Sequence, residues 1–411
     1  MTAVGVNSPA TEAEVFAAHE GGKLSVGVTT AFHDSRALSI AYTPGVAMVS
    51  KAIAKEPALA QRYTWAGRLV VVVTDGTAVL GLGDVGPTAS LPVMEGKAAL
   101  LKQFAGLDAI PLVLGTTDVD EIVETLVRLR PSFGAVSLED VAAPRCFELE
   151  DRLVRALDCP VMHDDQHGTA IAVLAALRGA CAVVGRPMTQ QRVVVHGAGA
   201  AGVACARILL AAGLTDVVVL DSRGILVPGR AGMNPAKAAL AAVTNPRALH
   251  GGLAQALPGA DVFVGVSSAT VPEELIASMA PDAIVFALSN PVPEIHPETA
   301  ARYAAVVGTG GSDFPNQVIN TLASPGIYRG ALDAGATRIT EGMKLAAAEA
   351  IAEVAAADLA PDRVVPHSLD PRVMPAVAAA VARAALGDGG PRGCGDRSGA
   401  DAVSPGTATT G

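Results

Sequence analysis

Arg192-Val-Val-Val-His-Gly-Ala-Gly-Ala-Ala-Gly202 is a run of β-branched residues that breaks into a glycine turn, and Val203–Ala212 follows it with a helical pattern. The apolar run suits a strand covered on both faces, as in a parallel sheet. Glycines at 197, 199 and 202 permit a tight turn, and the helix that follows aims its N-terminus at whatever lies in the turn. A further apolar run, Val217–Leu220, ends in Asp221. That is about twenty residues beyond the turn, where a dinucleotide fold places the acid that meets the adenosine ribose. Strand, glycine turn, helix, strand and acid form the Rossmann arrangement. It predicts that the backbone from Gly197 through Ala198, Gly199, Ala200 and Ala201 to Gly202 cradles a pyrophosphate. Asp221 would bind the 2′-hydroxyl of NAD, whereas Ser222, Arg223 and Lys237 beside it would accommodate the 2′-phosphate of NADP. Both cofactors stay open, with a lean to NADP.

The same alternation runs outward in both directions. Leu69–Val73, Ile110–Leu114 and Ala135–Leu138 read as strands before the turn; Val262–Val266, Ile284–Ala287 and Val306–Gly308 read as strands after it. Each is followed by a helical pattern, which predicts an α/β fold with parallel sheets. A chain of 411 residues exceeds what one core usually serves. The expected organisation is a flexible N-terminus at 1–15, an N-terminal α/β substrate domain at 16–160, a Rossmann-type NAD(P)-binding domain at 161–386 and an unordered tail at 387–411. The helix expected at Gly168–Val184 would bridge the two halves. A second G-x-G-x-x-G, Gly81–Gly86, lacks the strand before it and the acid after it, so it reads as a structural or substrate-side loop.

Half of the residues are apolar, aromatics are 3% and the net charge is −10. A general nucleic-acid binder needs a basic patch, so nucleic acid is not expected as a partner. No apolar run of membrane-spanning length is free of charge, so no membrane span is expected. The five cysteines, 146, 159, 181, 205 and 394, show no C-x-x-C spacing. They fit a reduced, cytoplasmic setting better than an oxidising one.

The candidate chemistry lies before the glycine turn. Glu139-Asp140 follows an apolar strand, and Asp164-Asp165 sits in His163-Asp-Asp-Gln-His-Gly-Thr169, expected as a loop before the helix. Like charges held together call for protonation or a cation, and Mg²⁺ and Mn²⁺ take such oxygen ligands. Spacing alone also fits solvated faces or helix caps. His163 and His167 read as core or supporting residues rather than ligands. Lys97 is expected at the start of a helix over 97–105, where the dipole would lower its proton affinity and suit it as a base, or else as a solvated surface lysine. Tyr42 is a single aromatic in the turn Tyr42-Thr-Pro-Gly45, and packing is its plain role there. Asn290 and Asn320 follow late strands and could bind cofactor or substrate, or close turns.

Together these segments resemble the malic enzyme family. The resemblance rests on Tyr42-Thr-Pro-Gly-Val-Ala47, Val73-Thr-Asp-Gly-Thr-Ala-Val-Leu-Gly-Leu-Gly-Asp84, Glu95-Gly-Lys97, Leu138-Glu-Asp140, His163–Ala170, His196–Gly199, Ser289-Asn-Pro291 and Asp313-Phe-Pro-Asn-Gln317, in the family's order. It implies divalent-metal-dependent oxidative decarboxylation of malate to pyruvate, by a homo-oligomer of two or four chains. It further implies Lys97 as base, Tyr42 as acid, Asp164 as proton-relay partner and Glu139, Asp140 and Asp165 as metal ligands. Asn290 and Asn320 would contact cofactor or substrate. Ala78 stands where larger relatives carry Arg, and Gly311 and Ile319 stand where family members often carry Arg and Asn. Two other readings are a malolactic-type enzyme that releases lactate and a dinucleotide-binding sensor without catalysis.

Overall fold

The computed structural model describes residues 10–79 and 81–387. The expected tail at 387–411 lies outside them apart from Gly387, as do residues 1–9. Residues 12–15, expected to be irregular, open a helix, Glu12–His19. Thr11 caps it, and the Thr11 amide in turn donates to the Glu14 carboxylate.

Two sheets form the frame. The first contains β1 (Leu69–Thr74), β2 (Asp108–Val113), β3 (Ala135–Leu138) and β4 (Val161–His163), all parallel, in the order β2-β1-β3-β4. The second contains β5 (Arg192–His196), β6 (Asp216–Asp221), β7 (Gly224–Ile225), β8 (Val262–Gly265), β9 (Ala283–Ala287) and β10 (Ala304–Thr309). Its order is β10-β9-β8-β5-β6-β7, parallel except where β7 turns back on β6. The chain therefore moves outward from β5 on one side and resumes at β8 on the other. That reversal opens a crevice beyond the carboxyl end of β5, where open α/β sheets place their ligands. The fold is thus α/β with a Rossmann-type sheet following a smaller one.

Two strands were not read from the sequence. β4 is only Val-Met-His between a proline and two aspartates, and β7 is two residues of a hairpin. Both are too short for periodicity to register.

The helix Asp164–Val184 joins the sheets. β4 runs straight into it, and it packs on the helices Ala200–Ala211 and Glu341–Ala355. Its alanines and glycines permit this closeness: a Cβ on Gly179 would overlap the Val364 carbonyl. Ile171, Leu174 and Leu177 are fully buried. Each contributes about 1.5–3 kcal/mol by leaving water. The helix stops at Gly185, which takes the left-handed conformation (φ +69°) that a side chain disfavours. By length and hydropathy two helical stretches, 164–184 and 35–55, are long and apolar enough to cross a membrane, though each carries charged residues. The first is an interior helix, 67% buried. The second is broken into Ser35–Ala41 and Val46–Lys55.

The helix expected over 97–105 spans Gly86–Ala105. Pro87 belongs to its first turn, where a missing N–H costs nothing, and Pro92 is accommodated inside it. Those two prolines concealed its first half in the sequence. Lys97 is consequently mid-helix, away from the positive end of the dipole.

Candidate active site

The carboxyl ends of β3 and β4 bring the acids together. β3 ends at Leu138 and delivers Glu139 and Asp140; β4 ends at His163 and delivers Asp164 and Asp165. Asp164 and Asp165 occupy the first turn of the helix 164–184, not the loop expected from sequence. Lys97 meets them from the helix 86–105. Its Nζ donates to Asp164 Oδ2 and lies 3.4 Å from Glu139 Oε2. Glu139 and Asp164 are buried, and the Lys97 side chain is 11% exposed.

The surroundings fix each group. Glu139 Oε1 accepts from the Ser137 hydroxyl at 2.8 Å. Asp140 is held at φ +53°, a conformation few non-glycine residues adopt. Its amide donates to Asp165 Oδ2 at 2.8 Å, and its carbonyl accepts from the Ala78 amide at 2.9 Å. Asp164 Oδ1 is buried with no hydrogen-bond partner.

Burial pushes the Glu139 carboxyl well above the usual range; Lys97 opposes this, while the charges of Asp164 and Asp165 add to it. Burial raises Asp164 too, against the pull of the Lys97 charge and hydrogen bond. For Lys97, burial works against the ammonium, but the charges of Asp164 and Glu139 outweigh it and hold the group above an ordinary lysine. The sequence expectation was a lowered lysine; the ion pairs reverse it. Three acids around one ammonium leave a demand for positive charge or protons.

This donor set fits a hard divalent cation in its chemistry: buried oxygen ligands, excess negative charge and an orphaned oxygen on Asp164. Among the described residues, no three acid, histidine or cysteine side chains converge into a preformed cage. His163 is wholly buried with its Nδ1 3.8 Å from Asp165 Oδ2, and His167 Nε2 lies 3.0 Å from Glu150 Oε2.

Tyr42 is not part of this cluster. It follows the helix Ser35–Ala41, the residue is 63% exposed, and it takes no part in the hydrogen bonds of Lys97 and Glu139.

At the glycine turn, Gly197 adopts φ +121° and its amide donates to the Leu220 carbonyl at 2.9 Å. Gly199 precedes the helix Ala200–Ala211 and has open space where a side chain would start. Gly202 packs directly against Gly197. Ala198 is buried, and Ala200 and Ala201 form the first helical turn.

Asp221 ends β6 as expected, but it is already engaged. Its Oδ2 accepts from Arg230 at 2.5 Å and Lys237 at 2.8 Å, and its Oδ1 accepts from the Arg223 amide at 2.9 Å. Partial burial works against the carboxylate, yet the bonds from Arg230 and Lys237 bring its pKa down to about 2. Ser222, Arg223, Arg230 and His250 line a cavity of about 420 Å³ beside it.

Asn290 and Asn320 lie where the two sheets' loops meet. A Cβ on Gly81 would overlap the Asn290 carbonyl, so the first glycine loop touches the second domain. Asn320 packs on Gly168, one helical turn from Asp164.

Three supporting groups escaped the sequence reading. Arg145 pairs with buried Asp75, and its Nη2 also donates to Thr77 Oγ1 at 2.9 Å. Glu150 accepts from the His163 amide at 2.7 Å and Gln166 Nε2 at 3.2 Å; although burial opposes its charge, His167 and His163 bring it down to about 2. The Tyr328 hydroxyl donates toward the Val136 and Met162 carbonyls at 3.2 and 3.0 Å, tying a distant helix to β3 and β4. Arg145, Glu150 and Tyr328 stand in no local motif, so only the fold reveals them.

Comparison with known proteins places this geometry. Residues 21–118 match the malic enzyme N-terminal domain and residues 166–386 the malic enzyme NAD binding domain. A bifunctional malic/malolactic enzyme of Bacillus subtilis is 52% identical over 90% of this chain and 91% of its own length. An NADP-dependent malic enzyme of Halomonas elongata is 43% identical over 90% of this chain and 91% of its own. The crystal structure of an NAD-dependent malic enzyme from Thermotoga maritima superposes with a TM-score of 0.86 at 42% identity, covering 91% of this chain and 99% of that one. With both domains matched in order, and with relatives aligned over nine-tenths of its length, the chain belongs to the malic enzyme family.

Proposed function

We propose that the chain oxidises malate with NAD⁺ or NADP⁺ and releases pyruvate and CO₂. The observation that carries this reading is the buried Lys97–Asp164–Glu139 cluster, in a chain that also holds a dinucleotide turn. Hydride leaves C2 of malate for the nicotinamide as the hydroxyl proton passes to the Lys97–Asp164 pair. Asp164 fixes the position of Nζ, and its burial-raised proton affinity lets the pair share that proton. The C3–C4 bond then breaks, CO₂ departs and its electron pair forms an enolate. Tyr42 is the proposed donor to C3, which yields pyruvate. The proton lost from the hydroxyl equals the proton gained at C3, so none is consumed overall.

Glu139, Asp140 and Asp165 would hold Mg²⁺ or Mn²⁺. Bound there, the ion supplies Lewis-acid stabilisation of the negative charge that develops as CO₂ leaves. Asn290 and Asn320 are placed to bind cofactor or substrate amide and carboxylate groups.

Incubation with malate, Mn²⁺ and either dinucleotide is expected to produce reduced cofactor and pyruvate together, and EDTA is expected to stop both. A folded sample that reduces neither cofactor overturns the reading. The name of the Bacillus subtilis relative favours testing a second product, and lactate in place of pyruvate would make the chain malolactic.

Cofactor choice rests on Asp221. Its charge is matched by Arg230 and Lys237, so it does not simply repel a 2′-phosphate, and we place NADP⁺ ahead of NAD⁺. Asp221→Ala frees both cations and is expected to shift the ratio of kcat/KM values toward NADP⁺ by about tenfold, equivalent to roughly 1.4 kcal/mol. A shift toward NAD⁺ would contradict this placement.

A further inference from the structure

Glu294 is a buried acid outside the Lys97 cluster. It is 1% exposed and lies past the carboxyl end of β9, at the end of the loop Ser289-Asn-Pro-Val-Pro-Glu294. Its Oε1 accepts from the Ser267 amide at 2.9 Å, and its Oε2 accepts from the Ser289 amide at 3.1 Å. Ser267 follows β8 and Ser289 follows β9, so one side chain joins two neighbouring strand ends at the crevice. Its own carbonyl accepts from the Val271 amide at 2.7 Å, which fastens the loop after β8 a second time. β8 leaves room for the carboxyl: a Cβ on Gly265 would lie 2.6 Å from its carbon. Among the described residues no cation pairs with Glu294. Burial pushes its carboxyl above the usual range, and the Ser267 and Ser289 amides work against that shift. Burying a carboxyl costs free energy that its bonds must offset, and an apolar side chain would fill the space without that cost. Packing alone therefore does not account for an acid here.

The two loops it holds border the cofactor and substrate groups. On the β8 side, the Ser267 hydroxyl is 3.3 Å from His196 Nδ1, and the Val266 carbonyl lies against Gly197 of the dinucleotide turn. On the β9 side, Ser289 leads directly into Asn290. The Asn290 carbonyl lies against Gly81 of the first domain, and its side-chain amide lies against Gly310. We propose that Glu294 is a positioning residue: it fixes Asn290 and the Ser267 loop relative to the dinucleotide turn, so that C2 of malate meets the nicotinamide. This role rests on the reaction assigned above and on Asn290 as a ligand contact. Glu294 acts through two backbone amides rather than through contact with the substrate. Its chemistry suits the task, because two N–H groups on different strands need two acceptor oxygens and a carboxylate presents both. A glutamine presents one oxygen and turns an NH₂ group toward the other amide. An offset of about 1 Å between reacting groups can cost about 10²-fold in rate.

The test compares Glu294→Gln and Gly265→Ala with the wild type. The first removes one of the two acceptors. The second keeps the carboxyl and pushes it off the strand, so it decides the matter where Glu294→Gln does not fold. Both are expected to lower kcat/KM for malate by about 10- to 100-fold, while the Kd of the reduced dinucleotide, read by its fluorescence without turnover, stays within about threefold. Malate deuterated at C2 is expected to show a larger isotope effect on kcat/KM in both variants, because misaligned hydride transfer becomes the slow step. A residue that only supports packing would lower Tm and leave that isotope effect as it is. A folded variant with wild-type kcat/KM, or with a fall in kcat/KM at an unchanged isotope effect, overturns the proposal. So does a Kd that weakens as much as kcat/KM falls, since Glu294 would then serve the dinucleotide turn alone. Amide hydrogen exchange needs no turnover: Ser267 and Ser289 are expected to be protected in the wild type and to exchange faster in Glu294→Gln. Unchanged protection overturns the proposal. Wild-type protein that is inactive on malate, with protection that Glu294→Gln does lose, would instead overturn the assigned reaction.

Discussion

Lys97→Ala is expected to lower kcat/KM for malate by about 10²- to 10⁴-fold, the range associated with loss of a positioned group in proton transfer. The loss should fall on turnover and leave dinucleotide affinity unchanged, because the glycine turn belongs to the other sheet and no hydrogen bond joins it to Lys97. Lys97 also balances the charge of Glu139 and Asp164. Removing one partner of a buried pair costs up to about 3–5 kcal/mol. Here the cost should be smaller, since burial already raises both carboxyls and readies them to take protons. Thermal unfolding measured beside the kinetics separates the two effects. A folded variant with near-normal turnover would remove Lys97 from the mechanism.

Particular residues explain what the sequence made legible. Val193–Val195 and Val217–Leu220 are uninterrupted apolar runs because both of their faces are covered, so the strands of the second sheet were readable at once. Asp164 and Asp165 were legible as chemistry but not as helix, because Asp is a poor helix former and nothing local records that β4 precedes them. Lys97 was legible as a residue and not as an electrostatic state. A mid-helix position behind two prolines, facing Asp164 and Glu139, is a product of tertiary packing. Arg230 illustrates the same limit at the cofactor site. It lies in an irregular stretch, yet the β6–β7 hairpin brings it onto Asp221 and changes what that carboxylate does to a 2′-phosphate.

The three glycines of the dinucleotide turn look equivalent in sequence, but the structure divides their work. Gly202 has no room: a Cβ there would overlap the Gly197 carbonyl oxygen and press on Val266 at 3.2 Å. Gly197 cannot yield, because its φ is +121° and its own Cβ position lies 2.7 Å from the Val266 carbonyl. Backbone faces backbone, so no rotamer relieves the clash. Gly202→Ala is therefore expected to cost at least about 3 kcal/mol, the upper end for an added methyl group in a packed interior, and to abolish cofactor binding. Gly199 is the control, since nothing lies within 4 Å of its Cβ position and its φ lies outside the left-handed region. Gly199→Ala should keep the wild-type Tm and lose dinucleotide affinity, because the space its Cβ enters is where the pyrophosphate approaches. Melting curves and cofactor titrations on the two variants separate the roles: Gly202 holds the helix against the sheet, and Gly199 keeps the phosphate path open. Equal loss of Tm in both would make the turn a packing element alone, and unchanged affinity in Gly199→Ala would move the pyrophosphate away from it.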